Sequence, residues 1–345
     1  MARICSGILG VLACATFALG SAAARAQSVA DFYRGKTINL IIGTSSGNDY
    51  DFRARLLARY MGKHIPGEPA IVARNMPGGG GVQAANWIAH LAPRDGTTLH
   101  MIMANMMASQ AMGLPGIEFD TRQFRWIGNT TSTPNVVNSW YTSPVKTFAD
   151  VQSHELVVGA PMGTAGALYP ALLNQLAGAK FRIVTGYPGG NEVSLAMERG
   201  EVDGRGSNSW AAWKSTKPEW VRDHKLNILV QIGLKRAPDL PDVPLMMELA
   251  SNEADRKLLA FISAETEVSR SLVAPPDVPA DRVEALRRAF DDTMKDPELL
   301  AEAAKQNMDI SPLSGQDSQK IADSVANTPS DIAARARAIL EAPAK

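Results

Sequence analysis

Three short stretches of this 345-residue chain carry residue types at spacings that could do chemistry. Gly43-Thr44-Ser45-Ser46-Gly47 matches G-x-S-x-G, the strand-to-helix turn that exposes a nucleophilic serine. It follows the first strand of the chain where a hydrolase would place several, and no His-Gly-Gly oxyanion segment precedes it. The alternative is a loop that uses glycines for positive φ and hydroxyls for binding. Gly35-Lys36-Thr37 looks like the end of a phosphate loop, but position 30 is Ala and the Lys precedes a strand instead of opening a helix. Gly79-Gly80-Gly81-Val82-Gln83-Ala84 fits G-x-G-x-x-A, yet it does not follow the first strand and reads as a tight turn. His64, His90, His100, His154 and His224 show no metal-ligand spacing. No cofactor and no metal are expected.

What remains is an arrangement that occurs twice, in which a strand ends in a glycine and hydroxyl turn that opens a helix. It is found at residues 43–51 and again at residues 160–166. Such turns aim free backbone N–H groups at one point, and the helix dipole adds a potential favourable to anions. Facing each other, the two would clamp an anion. The first turn offers Thr44, Ser45, Ser46, Asn48 and Tyr50, with Asn48 as helix cap. Asp49 and Asp51 fall in the first turn of its helix, where they offset the dipole and would repel a carboxylate. The second turn, with Met162, Gly163, Thr164, Ala165 and Gly166, carries no charge, so a carboxylate should dock mainly there. Arg205 follows Val202-Asp203 at an expected strand end, and its planar fork suits a carboxylate. Ser207 and Asn208 beside it, Asn105 after the third strand and Tyr187 in a glycine-rich turn complete the candidate set, and Trp210 is a candidate pocket wall.

These turns need a scaffold. Residues 37–43 read as a buried strand, followed by a helix carrying Phe52, Leu56 and Tyr60 at i, i+4 and i+8 and stopped by Pro66-Gly67. Strands follow at 70–74 and 97–104, with a helix at 82–91 between them. Residues 124–141 change composition and mark a crossing. The pattern then restarts, with strands at 156–160, 181–185 and 227–233 and helices at 167–176 and 192–199. Residues 270–274 form a return strand, and a helical tail starts near Pro279, with Val283, Leu286, Phe290 and Met294 on one face. The expected organisation is a first lobe at 27–128, a second lobe at 129–262, and a return to the first lobe at 263–345.

The first 26 residues stand apart. Arg3, an apolar run from Ile8 to Leu19 and Ala24-Arg25-Ala26 before Gln27 have the form of a secretory signal peptide, too short to span a bilayer. Cys14 as a lipidation site is disfavoured by its flanking residues. Removing residues 1–26 takes away Arg3, Arg25 and both cysteines, leaving 33 basic against 35 acidic residues, a formal charge of about −2. A thiol-free mature chain suits an oxidising compartment. With no net positive field, nucleic acid is not an expected partner.

Several further segments, in order, carry a resemblance. They are Asp31-Phe32-Tyr33-Arg34-Gly35-Lys36-Thr37-Ile38, Tyr50-Asp51 with Ala54-Arg55-Leu56-Leu57, and Asn75-Met76-Pro77-Gly78-Gly79-Gly80-Gly81. Asp95-Gly96-Thr97, Gly186-Tyr187-Pro188-Gly189-Gly190, Gly200-Glu201-Val202-Asp203 and Leu240-Pro241-Asp242-Val243-Pro244 follow. From Asp31 to about Pro343 the sequence resembles the periplasmic solute receptors of tripartite tricarboxylate transporters. The resemblance implies an α/β, two-lobed periplasmic binding protein of type II, a Venus flytrap with mixed sheets and a ligand cleft between its lobes. It implies a periplasmic monomer that holds a small organic carboxylate, whether a di-, tri- or aromatic acid or a zwitterion, partly through water. Handover to the membrane permease subunits of a tripartite transporter follows from the same resemblance. Gly47-Asn48-Asp49 stands where related receptors usually have a glycine cluster, so the extra side chains either narrow the cleft or add an acid that recognises an amine. The competing reading is an exported serine hydrolase using Ser45.

Overall fold

Ile38, Leu40 and Ile42 are buried on one face of the first strand and Ile41 on the other, as expected for a parallel strand covered on both sides. In the computed structural model, which describes residues 27–161 and 164–341, this strand is β1 (Thr37–Ile42). It lies between β2 (Ala70–Asn75) and β3 (Thr98–Met103), parallel to both. β4 (Arg125–Asn129) joins the same sheet only through a strand from much later in the chain, β10 (Arg270–Ala274). β10 pairs antiparallel with β3 on one side and β4 on the other, and the two-residue β11 (Leu313–Ser314) completes the order β11-β4-β10-β3-β1-β2.

The second sheet is drawn from one continuous stretch. It contains β5 (Asn135–Trp140), β6 (Leu156–Pro161), β7 (Phe181–Tyr187), β8 (Gly204–Ser209) and β9 (Leu226–Ile232), in the order β7-β6-β8-β5-β9. β6 runs parallel to β7 and β8, whereas β5 is antiparallel to β8 and β9. Two mixed sheets with helices packed on them make two lobes. β8 was not foreseen, because Gly-Arg-Gly-Ser-Asn-Ser lacks the β-branched and aromatic residues that signal a strand. Its glycines serve close approach: a Cβ at Gly204 would lie 2.2 Å from the Asn138 carbonyl oxygen, and one at Gly206 would lie 2.0 Å from that of Gly166. Arg205 therefore sits near the start of a strand, and the expectation of a strand end there is corrected.

The chain crosses between sheets after β4 and after β9, and side chains tie the two crossings together. Asn129 Oδ1 accepts the Arg270 backbone N–H at 2.8 Å, while its Nδ2 donates to the Glu267 carbonyl at 3.2 Å. The helix Ala280–Thr293 buries Val283, Leu286 and Phe290 against the first sheet, with Met294 beyond its end. The last helix, Ser330–Glu341, packs on Ala165–Ala177 of the second lobe. No helix among the described residues is long and apolar enough to cross a membrane. The segment read as a signal peptide lies outside the described residues.

Candidate functional site

A cleft of about 580 Å³ opens between the lobes. Its walls are the segments that leave the carboxyl ends of β1, β2, β3, β6, β7 and β8, the usual ligand position in open α/β sheets. Four helices of nine residues or more begin on it: Asp49–Tyr60, Val82–His90, Ala165–Ala177 and Gly190–Glu198. Val82–His90 and Gly190–Glu198 have glycine N-caps with no side-chain cap; the Val82 and Gln83 N–H groups donate to the Gly79 and Gly78 carbonyls, whereas the first N–H groups of Gly190–Glu198 are left for a ligand or water. The turn before Val82–His90 is built from Gly78, Gly79, Gly80 and Gly81 at φ of 152°, 55°, 63° and 99°, conformations that side chains resist. Residues 77–81, read from sequence as a tight turn, thus also wall the cleft.

In the first lobe Asn48 caps its helix as expected, its Oδ1 accepting the Asp51 N–H at 3.2 Å. Asp51 accepts the Gly47 N–H at 3.0 Å, Arg55 Nε at 3.0 Å and Asn75 Nδ2 at 3.0 Å, which fastens the turn to the end of β2. Asp49 does not present the free repulsive charge expected of it. Its buried carboxylate takes Arg53 Nε at 2.9 Å and Arg270 Nε at 2.5 Å. Burial alone would raise its pKa, but the two guanidiniums hold it down to about 2. Arg270 also stacks over the Tyr50 ring, 4.2 Å from its centroid, and donates to Tyr50 Oη.

The second lobe supplies a cation of a different kind. Arg205 donates from Nε to the Ser207 carbonyl at 2.9 Å and from Nη1 to the Gly190 carbonyl at 3.2 Å, and lies over the Trp213 ring. Among the described residues no carboxylate lies within 4.0 Å of it. Burial lowers its pKa to about 10, so it is charged at neutral pH. Nearby, Thr164 caps Ala165–Ala177 by accepting the Gly166 N–H at 3.3 Å.

Side chains also meet between the lobes, at and beside the cleft. Asn191 Nδ2 donates to the Gly47 carbonyl at 3.4 Å and Ser215 Oγ to Asp49 Oδ1 at 3.2 Å, while Lys214 pairs with Asp309 at 2.5 Å.

Of the candidates from sequence, Thr44, Ser45, Asn48, Asp49, Tyr50, Asn105, Thr164, Ala165, Gly166, Tyr187, Arg205, Ser207 and Asn208 are brought together on this cleft. Ser46 and Asp51 are not on its wall: Ser46 is exposed, and Asp51 is spent on the network with Arg55 and Asn75. Met162 and Gly163 lie outside the described residues. Trp210 is not a wall residue either, since it is buried with its indole N–H donated to Asp239; Trp213 is the tryptophan beneath Arg205. Sequence reasoning missed the glycine turns at 77–81 and 189–190, Glu265 and Arg270. The glycine turns were legible as further strand-to-helix turns. Arg270 and Glu265 arrive from the second crossing and carry no local signal. No histidine is among the described residues that wall the cleft with Ser45, and the hydrolase reading gains no support from this geometry.

A family profile described as "Tripartite tricarboxylate transporter family receptor" matches residues 54–337. A Cupriavidus necator protein, "UPF0065 protein in gbd 5'region", is 30% identical over 311 residues, covering 86% of each chain. Among solved structures, R. palustris Rpa4515 with adipate superposes with a TM-score of 0.68 at 21% identity, covering 88% of this chain and 97% of that one. MatC (Rpa3494) from Rhodopseudomonas palustris with bound malate gives 0.65 at 22% identity, covering 89% and 99%. The extent of the profile match settles the relationship: this chain belongs to the tripartite tricarboxylate transporter receptor family.

Proposed function

We propose that the protein is a periplasmic receptor that captures a small organic carboxylate between its lobes and delivers it to the membrane permease subunits of a tripartite transporter. In this reading residues 27–128 and 263–345 act as one lobe and 129–262 as the other, with the last helix, Ser330–Glu341, reaching across onto the second, and the receptor works as a monomer. The observation that carries it is Arg205, a guanidinium on the cleft wall with no carboxylate partner among the described residues, beside helix starts from both lobes. A bound carboxylate accepts from Arg205, from the Ala165 N–H and from the first N–H groups of Gly190–Glu198, and the turn around Asn48 closes over it. Three or four charge-assisted hydrogen bonds of about 1.5–3 kcal/mol each approach the ~8 kcal/mol of micromolar binding. The adipate bound to one structural relative and the malate bound to another agree with this ligand class.

Native mass spectrometry of gently purified protein, followed by a thermal-shift panel of carboxylates, tests the reading. A ligand at about 100 times its Kd adds roughly 2.7 kcal/mol of stability. The proposal fails if no acid raises the melting temperature while a sugar or a metal ion does.

A further inference from the structure

Two acids wall the cleft, and they are not in the same electrical situation. Asp49 has two guanidiniums beside it; Glu265 has none within 4.0 Å among the described residues. Glu265 opens the short turn Glu265–Val268 that leads into β10, and it is wholly covered at the cleft floor. Its Oε1 accepts the Tyr169 hydroxyl at 2.7 Å, and that hydroxyl in turn accepts Asn135 Nδ2 at 3.0 Å. Its Oε2 is buried with no donor. A carboxylate oxygen cut off from water without a donor is costly, and native proteins seldom leave one so.

The groups around it do not supply the missing donor. Tyr169, from the Ala165–Ala177 helix, has given its proton to Oε1. Tyr50, from Asp49–Tyr60, donates nothing to Glu265 and receives Arg270 Nη1 at 3.1 Å, while the charge of Arg270 is committed to Asp49. Burial accordingly pushes the Glu265 carboxyl up to about 7. Arg205 and the helix starts already provide for the ligand's negative charge, so the unmatched feature of the cleft is a place for a positive one.

We infer that Glu265 is a specificity-determining residue that receives an ammonium group of the ligand, which makes the preferred ligand an amino-substituted carboxylic acid in place of a plain di- or tricarboxylate. This rests on the carboxylate reading of the cleft. An ammonium brings three N–H donors together with the charge that keeps a buried carboxylate ionised; a hydroxyl brings one donor and no charge.

Isothermal titration of the mature chain at pH 8 with two matched pairs, 2-aminoadipate against adipate and aspartate against succinate, tests the inference. At least one amino acid binds about 10- to 100-fold more tightly than its plain partner, the equivalent of one charge-assisted hydrogen bond. In Glu265→Gln, which keeps an acceptor for Tyr169, the ratio of affinities within the pair falls to less than about threefold. The wild-type comparison needs no variant and stands if Glu265→Gln misfolds. Equal affinities within each pair in the wild type, or a preference that survives Glu265→Gln, overturn the assignment. So does tighter binding of the plain acids as pH falls below 7, the mark of a protonated Glu265 donating to a ligand carboxylate. If all four acids fail to bind while another carboxylate does, the Glu265 inference falls and the receptor reading stands; if no carboxylate of any kind binds, both fall.

Discussion

Asp49, in the first turn of its helix, and Arg270, at the start of β10, form a buried ion pair of 2.5 Å across 221 residues of sequence. The pair joins the turn after β1 to the strand that returns from the second lobe. It also cancels, inside the protein, a charge that would otherwise face an incoming anion.

Replacing Asp49 with Asn therefore removes the carboxylate that Arg53 and Arg270 share. Breaking a buried pair by deleting one partner leaves the other charge uncompensated, at roughly 3–5 kcal/mol. Urea unfolding of Asp49→Asn checks this, and a loss under about 1 kcal/mol would restore the simple capping role that the sequence suggests.

Arg205→Gln removes the positive fork and keeps some hydrogen-bonding capacity. Affinity for the ligand should drop at least tenfold, that is by about 1.4 kcal/mol or more. Because Arg205 also donates to two backbone carbonyls, unliganded stability should fall by around 1 kcal/mol. Calorimetry and unfolding on the same samples separate the two effects; unchanged affinity sinks the role of Arg205.

Glu265 gives the unliganded protein a characteristic pH profile. Its pKa rises from 4.5 to about 7 on folding, first because of burial, so the folded state binds a proton that the unfolded state has released. Its stabilising contribution is complete below pH 4.5 and is lost as pH rises through 7, by up to about 3 kcal/mol. Urea midpoints from pH 4.5 to 8 should show that decline in the wild type and lose it in Glu265→Gln. Asp49 acts with the opposite sign, its contribution being present above pH 4 and lost as pH falls through about 2.

Lys214 and Asp309 face each other between the lobes at 2.5 Å, and both are partly exposed. An ion pair in that setting adds at most about 1 kcal/mol to stability, but it counts only when the lobes are together. Lys214→Met should leave the melting temperature nearly unchanged and speed ligand dissociation about two- to fivefold, read by stopped-flow fluorescence. A dissociation rate equal to wild type argues that closure does not use this pair.

How far the sequence could be read depended on the range of the signal. β1 and β3 announce themselves by runs such as Ile38, Leu40, Ile41 and Ile42, because a strand buried on both faces has nearly every position apolar, whereas β10 begins Arg270-Ser271 and was marked by the two prolines that follow it. The start of Asp49–Tyr60 was visible through Asn48, since a cap acts within three residues, whereas Thr164 was read as part of a turn and the helix it caps was expected to begin at 167. β8 was not visible, because its place depends on what glycine lets approach, a property of neighbours distant in sequence. The same holds for charge. Asp49 looked like a free acid beside a helix start, and only the return of β10 brings Arg270 to it. Glu265 has no local pattern at all; its meaning comes from Tyr169 and from the cleft it floors.

The order of strands in the first sheet also determines when that lobe can form. β3 and β4 are not neighbours; β10 lies between them, hydrogen-bonded to both. A chain emerging from its N-terminus thus cannot join β4 to β3 until residue 274 is free, and the sheet is complete only with β11 at 313–314, whereas the second sheet, formed within residues 135–232, can assemble earlier. Domains generally fold as units, and pairing strands far apart in sequence is slow because the loop between them must be closed first. The lobe that begins the polypeptide is therefore the later one to be finished, and until β10 arrives the edges of β3 and β4 stand open to wrong partners.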